Sequence, residues 1–167
     1  MTEPERPDPP MTGDERAQLN GFLDFLRATV VWKASGLTDE QARATHVPSE
    51  LTTIAGLVGH LALVEGYWFR EILDGQASKW DEALAEDPDA EFRVALKTPI
   101  ADVIAEYEAE CEAARKIVAG MDLEDTVPFK DRQVSVRWVL IHMIEETGRH
   151  AGHLDLLREL TDGVKGE

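Results

Sequence analysis

The chain has 167 residues, the length of one globular domain rather than two. It carries 17 Lys and Arg against 33 Asp and Glu, and the resulting formal net charge of −16 argues against binding to nucleic acid or to an anionic membrane surface. Because Cys111 is the single cysteine, neither an intramolecular disulfide nor a cysteine-rich zinc site can form.

The composition predicts one structured domain between two tails. Residues 1–12 are rich in proline and in charged residues and are expected to form a disordered N-terminal tail, residues 13–162 the domain, and residues 163–167 a C-terminal tail. No apolar run has the character of a signal peptide, and none reaches the roughly 18 residues of a membrane span. We therefore expect a soluble cytoplasmic protein with neither a membrane nor a nucleic acid as partner.

The first predicted helix covers residues 14–35. Its apolar residues recur mostly three and four positions apart, which is the pattern of an amphipathic helix, and Gly36 is expected to end it. Thr38 then serves as an N-cap with Gln41 three residues later, a capping box that predicts a short extra helix before Pro48.

A second long helix is predicted from residue 52 or 53 to residue 73, where an Asp-Gly pair closes it. One face is apolar and is expected to be buried, whereas Glu65 and Arg70 are expected to lie away from the centre of that face. The apolar face consists of Ile54, Leu57, Val58, Leu61, Val64 and Trp68.

Two further long helices follow an acidic insert. Residues 79–97 are acidic and interrupted by proline, and we interpret them as an irregular surface segment with one helical turn. A third helix is predicted from Pro99, at a first helical position, to Gly120. Ser135 can cap a fourth long helix that an Asp-Gly pair at 162–163 ends.

The predicted fold class is all-α. No convincing strand pattern is present, and residues 133–136 are the weak candidate at the entry to the fourth helix. Four long helices in one small domain predict a four-helix bundle with a short extra helix after the first helix and an irregular acidic insert between the second and third. Because the insert is long enough to cross the bundle, the topology stays open.

Three of the five histidines lie within residues 142–153, with a carboxylate between them. A spacing of four places His142, Glu146 and His150 on one helical face, and His153 follows three residues later on a neighbouring line. Apolar residues at core-like spacing flank this polar line. We therefore expect it at the edge of the buried face or within it.

On the second helix, His60 interrupts the apolar face at a position that would normally hold leucine. A buried imidazole and a buried carboxylate both need partners, and one divalent cation bound by His60, Glu146 and His150 would satisfy them together. Two histidines and one carboxylate suit Zn²⁺, Fe²⁺ or Ni²⁺ and leave coordination positions open for water or substrate.

The same residues can also be explained without a metal ion. A single histidine on an apolar face is usually a hydrogen-bonded core residue, and the spacing on the last helix also fits an exposed helix with i,i+4 pairs. Glu145 lies about 100° round the helix from Glu146 and is expected to be solvated. Cys111 is expected to be a small buried residue and not a nucleophile. Three aromatic residues near the site in sequence are expected to pack in the core: Tyr67, Trp68 and Trp138.

The order of the helices, the segment 59–68 around His60 and the Glu-x-x-x-His-x-Gly-His core within residues 142–158 resemble the DinB-like metalloprotein superfamily. The resemblance covers most of residues 14–160. Many members have three histidines, one on the second helix and two at i,i+4 on the last. This sequence has Glu146 at the first of the last two positions, and in this respect it looks like the actinobacterial mycothiol-dependent branch, which includes maleylpyruvate isomerase and mycothiol S-transferases.

The resemblance implies a four-helix bundle of the DinB-like type in which His60, Glu146 and His150 bind one divalent cation, Zn²⁺ in the first place with Ni²⁺ or Fe²⁺ as alternatives. It implies an enzyme, a thiol S-transferase that activates mycothiol as a metal-bound thiolate for attack on an electrophilic substrate. His153 would take the thiol proton or hold a bound water, with a structural role as the alternative. Arg149 would steady a carboxylate on the thiol or substrate, with an exposed salt bridge as the alternative.

Other functions remain open at the level of the sequence. Because the isomerase has an additional C-terminal domain and this sequence ends at Glu167, the isomerase reaction is not expected. A non-catalytic metal-binding or stress protein of the same fold and a metal-dependent hydrolase are the alternatives to the transferase. The expected partners are a small-molecule thiol and an electrophile, and an exposed helix face in a small bundle is compatible with a homodimer.

Overall fold

Seven α-helices and one short hairpin make up residues 5–166, the part of the chain that the computed structural model describes. Residues 1–4 and 167, which belong to the two predicted tails, lie outside the described residues. The elements are α1 (Glu15–Ala34), α2 (Asp39–Ala42), α3 (Ile54–Glu65) with a π-helical continuation (Gly66–Leu73), α4 (Asp81–Glu86), α5 (Ala90–Ala95), α6 (Ile100–Ala119), β1 (Thr126–Phe129), β2 (Arg132–Ser135) and α7 (Val136–Asp162). No helix within 5–166 combines the length and the apolarity that crossing a membrane requires.

Side-chain caps set the helix boundaries close to where the sequence predicts them. The Thr38 capping box is present, with both of its reciprocal hydrogen bonds. Thr53 and Ser135 each accept a hydrogen bond from a backbone N–H in the first turn of α3 and of α7. Gly163 ends α7 in the left-handed conformation, with φ of 79°. Pro99 is the N-cap of α6 rather than its first helical residue, because its ψ of 138° is not helical.

The long helices pack in two principal pairs. α1 lies against α7, and α3 with its π-helical continuation lies against α6, while α7 also contacts α3. The core contains two clusters of buried apolar side chains. Representative members are Val58, Leu61 and Tyr107 in the first cluster, and Phe69, Leu140 and Met143 in the second. Full burial of an apolar side chain such as Leu61 or Phe69 contributes about 1.5–3 kcal/mol to folding.

The expectation that Glu65 lies away from the buried face is wrong. The Glu65 side chain is fully buried, and Arg27 of α1 donates to both of its oxygens, from Nε at 2.7 Å and from Nη2 at 2.6 Å. Burial disfavours the charged guanidinium, yet Glu65 more than compensates and raises the pKa of Arg27. The helical pattern failed here because a polar residue can face the core when another helix supplies an opposite charge.

The acidic insert is more regular than one helical turn, since it contains both α4 and α5. α5 packs closely on α3 at Gly59, where an added Cβ would lie 2.6 Å from the Cβ of Ala95. This close approach buries Glu91 of α5, of which 5% is exposed. The insert therefore places a carboxylate against α3 instead of lying entirely on the surface.

Two smaller regions also differ from the predictions. A hairpin precedes α7, with β1 antiparallel to β2 and Lys130 in the turn at a φ of 55°. Residues 133–135 of the weak strand candidate lie in β2, while Val136 begins α7. Both strands have four residues, which is too short for an alternating pattern to be clear in the sequence. On α7, Leu156 and Leu160 are exposed although their spacing resembles that of core residues.

Candidate metal centre

The three predicted ligands meet between α3 and α7. His60 comes from α3, and Glu146 and His150 come from successive turns of α7, as the spacing of four predicts. One ligand atom of each residue lies within 4.8 Å of the other two. Glu146 Oε1 is 3.4 Å from His60 Nε2 and 3.2 Å from His150 Nε2. Their side chains retain 15–21% exposure, so the cluster is partly accessible to solvent.

Glu91 fixes the orientation of His60. Its Oε1 lies 3.0 Å from His60 Nδ1, and because a carboxylate can only accept, Nδ1–H is the donor. The Phe92 ring stacks on the imidazole with a centroid distance of 4.9 Å and an interplanar angle of 13°. The other nitrogen, Nε2, is consequently aimed at Glu146 and His150. A carboxylate on the far nitrogen is the usual support of a metal-binding histidine.

His153 supports His150 in a comparable way. The two Nδ1 atoms are 3.3 Å apart, so one donates to the other, and His150 Nε2 faces Glu146. His153 itself is exposed and lies on the side of His150 away from the carboxylate. The structure therefore places His153 beside the cluster and in contact with one of its members.

The arrangement of donors fits a divalent cation. If His60 is neutral with its proton on Nδ1, the Nε2 lone pair faces the Glu146 carboxylate oxygen at 3.4 Å. Two acceptors so placed require either a proton or a cation between them. Two imidazole nitrogens and one carboxylate oxygen are a donor set typical of Zn²⁺, Fe²⁺ and Ni²⁺ sites.

The electrostatics of the cluster favour positive charge. Hydrogen bonds from His150 and then His60 hold the pKa of Glu146 well below its usual range, so this carboxylate is ionised. Burial alone would lower the pKa of His60, but the hydrogen bonds to Glu146 and Glu91 outweigh it and raise that pKa. Two carboxylates thus attract a proton or a metal ion to the same imidazole.

Other residues from the sequence analysis lie outside this cluster. Arg149 is exposed and donates from Nε to Glu145 Oε1 at 2.9 Å, and Glu145 is exposed as predicted. His142 does not join the ligands, because its ring stacks on Trp138 at 5.0 Å and meets the edge of Trp68 at 4.9 Å. Trp68 is buried as expected, whereas 48% of Trp138 is exposed, so the expectation of a core position is wrong for Trp138.

Cys111 is buried in the core, with 2% exposed, as predicted. Burial is the main cause that raises the pKa of its thiol, and the nearby Glu65 carboxylate acts in the same direction. A protonated and almost fully buried thiol is a poor nucleophile, in agreement with the expectation for Cys111.

Sequence reasoning missed Glu91, because it comes from a different helix in the acidic insert. It is one of 33 acidic residues, and its immediate sequence neighbours form no metal-binding spacing. Glu91 precedes Phe92 in a segment whose acidic composition predicts a position at the surface. Only the packing of α5 on α3 at Gly59 brings this carboxylate to His60.

Fold and site together define a helical protein with a candidate centre of two histidines and one carboxylate held between two long helices. The family model described as Mycothiol-S-transferase matches residues 18–163, so the chain belongs to the mycothiol-S-transferase family. This confirms the resemblance to the mycothiol-dependent DinB-like proteins and supports a transferase with mycothiol as a substrate. No curated protein matches the chain.

Proposed function

We propose that this protein is a mycothiol S-transferase that depends on one divalent cation bound by His60, Glu146 and His150. The observation that carries the metal site is the convergence of two imidazole Nε2 atoms on the same carboxylate oxygen, at 3.4 and 3.2 Å. Zn²⁺ is the first choice, with Ni²⁺ or Fe²⁺ as alternatives, because all three accept this donor set. The family match supports the thiol.

A divalent cation at these donors would supply Lewis acidity that lowers the pKa of a thiol from about 8.5 and so favours the thiolate near neutral pH. The chain's own contribution is to keep the donors in place. Glu91 holds His60, and His153 contacts the far nitrogen of His150. The three donors carry one negative charge, that of Glu146, so a dication bound by them would keep the positive charge that attracts an anionic sulfur, while Glu91 behind His60 would balance part of that charge.

His153 is the proposed proton acceptor. It is exposed at the rim of the cluster, next to His150, where a thiol entering from solvent passes it. The thiol would lose its proton to this imidazole, and its sulfur would then form a bond to the electrophilic carbon while the leaving group departs with the bonding electron pair. Arg149 lies on the same helix and would be available to a carboxylate on a substrate after leaving Glu145. The need for a reduced thiol fits the expected cytoplasmic location.

The test is a transfer assay on metal-free and Zn²⁺-loaded protein with mycothiol and monobromobimane. We expect turnover only when both Zn²⁺ and mycothiol are present, and loss of turnover in Glu146→Ala with helical circular dichroism unchanged. Equal rates for the metal-free and loaded forms would contradict the proposal. Retention of metal without turnover of any electrophile would favour a non-catalytic metal-binding protein, and hydrolytic activity in the absence of thiol would favour a metal hydrolase.

A further inference from the structure

An apolar cleft of about 700 Å³ opens beside the candidate metal centre. It lies between the second half of α7, the first half of α3, α5 and the loop that follows α2. This volume falls in the range that encloses most of a drug-sized molecule. Six apolar side chains line it: Val47, Leu57, Phe92, Leu156, Leu157 and Leu160.

The cleft is continuous with the metal-binding residues. His150 and His153 both belong to its wall. Phe92, which lines the cleft, presses its ring against His60 at a centroid distance of 4.9 Å. A molecule bound in the cleft can therefore extend a reactive atom toward the cluster while the rest of it stays on apolar surface.

The character of the cleft defines what it can bind. Leu156 and Leu160, one turn apart on α7, are 64% and 59% exposed, although leucine at such positions gains little unless something covers it. Glu159 is the one carboxylate among the lining residues that the structure describes, and no Lys or Arg is among them. This lining disfavours an anion and favours an uncharged apolar group.

We propose that this cleft binds the apolar part of a neutral electrophile and delivers its reactive carbon to the thiol; this inference rests on the proposed transferase function. A second copy of the chain is the less suitable occupant. Each chain carries a net charge of −16, and the two copies repel each other. A stable dimer also needs about 800 Å² of buried surface on each partner, whereas this feature is a local concavity beside the ligands.

An addition reaction suits the test because it balances without a further reactant. When a thiol adds to an N-alkylmaleimide, an S–C bond forms, the C=C π bond breaks, and the proton that the thiol loses ends on the neighbouring carbon. The corresponding N-alkylsuccinimides have the same shape without the reactive double bond, so they report binding alone. Cys111 is 2% exposed, so we expect its own reaction with the maleimide to be slow, and a control without mycothiol measures it.

The binding experiment is calorimetric titration of Zn²⁺-loaded protein, without thiol, with N-ethylsuccinimide and N-hexylsuccinimide. Each methylene that enters the cleft improves the affinity by up to about fourfold, so we expect at least about a tenfold lower Kd for the hexyl compound. In Leu156→Gln and Leu160→Gln most of this gain should disappear. The matched control is Ile141→Gln, since Ile141 is 51% exposed on the same helix but does not line the cleft.

Equal Kd values for the two succinimides, or an equal effect of all three substitutions, would overturn the inference. A concentration-dependent dimer in sedimentation velocity that Leu156→Gln abolishes would also overturn it, because the exposed leucines would then belong to a subunit interface. Folding of each variant is checked by circular dichroism and thermal unfolding.

A parallel kinetic series separates this inference from the function on which it rests. If mycothiol reacts with N-ethylmaleimide and with N-hexylmaleimide at equal kcat/KM, the cleft does not bind the electrophile, but the proposed transferase function stands. Conversely, suppose that the protein shows no turnover but binds the hexyl compound more tightly, with a preference that the leucine variants abolish. That result would refute the transferase function and retain the apolar binding site. Agreement of both series supports the two proposals together.

Discussion

Replacement of Glu91 tests the supporting contact at the candidate metal centre. Glu91→Ala removes the carboxylate that accepts from His60 Nδ1 at 3.0 Å, and it leaves the three proposed ligands intact. The imidazole is then free to turn on Phe92 and loses the partner that keeps the proton off Nε2. Glu91→Gln keeps an oxygen acceptor at the same place without the charge, so its effect should be smaller.

The magnitude follows from the role of such contacts. Loss of a carboxylate behind a metal-binding histidine typically weakens metal affinity by about 10- to 100-fold, which corresponds to about 1.4–2.7 kcal/mol. We expect the effect of Glu91→Ala to lie near the upper end of this range, because Glu91 is only 5% exposed and solvent screens its contact with His60 little. We therefore expect the Kd for Zn²⁺ to increase in the order wild type, Glu91→Gln, Glu91→Ala.

The assay is competition for Zn²⁺ against a fluorescent chelator, with circular dichroism as the check on folding. Glu145→Ala is the matched control, because this exposed glutamate sits next to a proposed ligand in sequence but pairs with Arg149 instead. The control should bind Zn²⁺ as the wild type does. If Glu91→Ala and Glu145→Ala bind Zn²⁺ equally to within twofold, the argument that Glu91 orients the ligand fails.

Three further predictions test the fold that holds the site. Glu65→Leu removes the buried partner of Arg27 and leaves only the contact of Arg27 with the partly exposed Asp24, at 3.1 Å, so it should cost about 3–5 kcal/mol in urea unfolding. Adding Arg27→Met to this variant should restore most of the loss, and additive losses from the two substitutions would contradict the prediction. Burial favours a higher pKa for Asp162, but hydrogen bonds from Arg158 outweigh it and lower that pKa, so the pair stabilises the fold above the ordinary pKa of 3.8 and less as the pH falls below it. The unfolding free energies of wild type and Asp162→Asn should therefore differ by about 1 kcal/mol at pH 7 and converge near pH 2, and a difference independent of pH would refute the assignment. Gly59→Ala should force α5 away from α3, cost about 1–3 kcal/mol in thermal unfolding and weaken Zn²⁺ binding, whereas an unchanged Zn²⁺ affinity would show that the close approach of α5 does not position the site.

The sequence was most informative where one helix determines the geometry. Glu146 and His150 are four residues apart, so the helical repeat alone places them on one face of α7. Capping residues such as Thr53 and Ser135 also act within a few residues of their own position. His60 was identifiable because a histidine interrupts an otherwise apolar face.

Features that depend on pairing between distant segments were not predictable from periodicity. Glu65 can be buried because it pairs with Arg27, which lies 38 positions earlier on another helix. No residue near Glu65 in the sequence indicates this partner. Glu91 contacts His60 because α5 packs on α3, and the acidic composition of this segment gives no indication of that packing. The exposed leucines of α7 have core-like spacing, and only the arrangement of neighbouring helices shows that they border a cleft.

The central claim is that His60, Glu146 and His150 together bind one divalent cation. It is tested most directly by metal content, measured by mass spectrometry on protein purified without a metal-affinity tag, for the wild type and for the alanine variant at each of these residues. His142→Ala is the control, because His142 stacks on Trp138 on the same helix and lies outside the cluster. We expect about one equivalent of metal in the wild type and in the control, and loss of it in each of the three ligand variants with helical content retained. Full metal content in any of the three, or no metal in the wild type after reconstitution with Zn²⁺, Ni²⁺ and Fe²⁺, would contradict the claim.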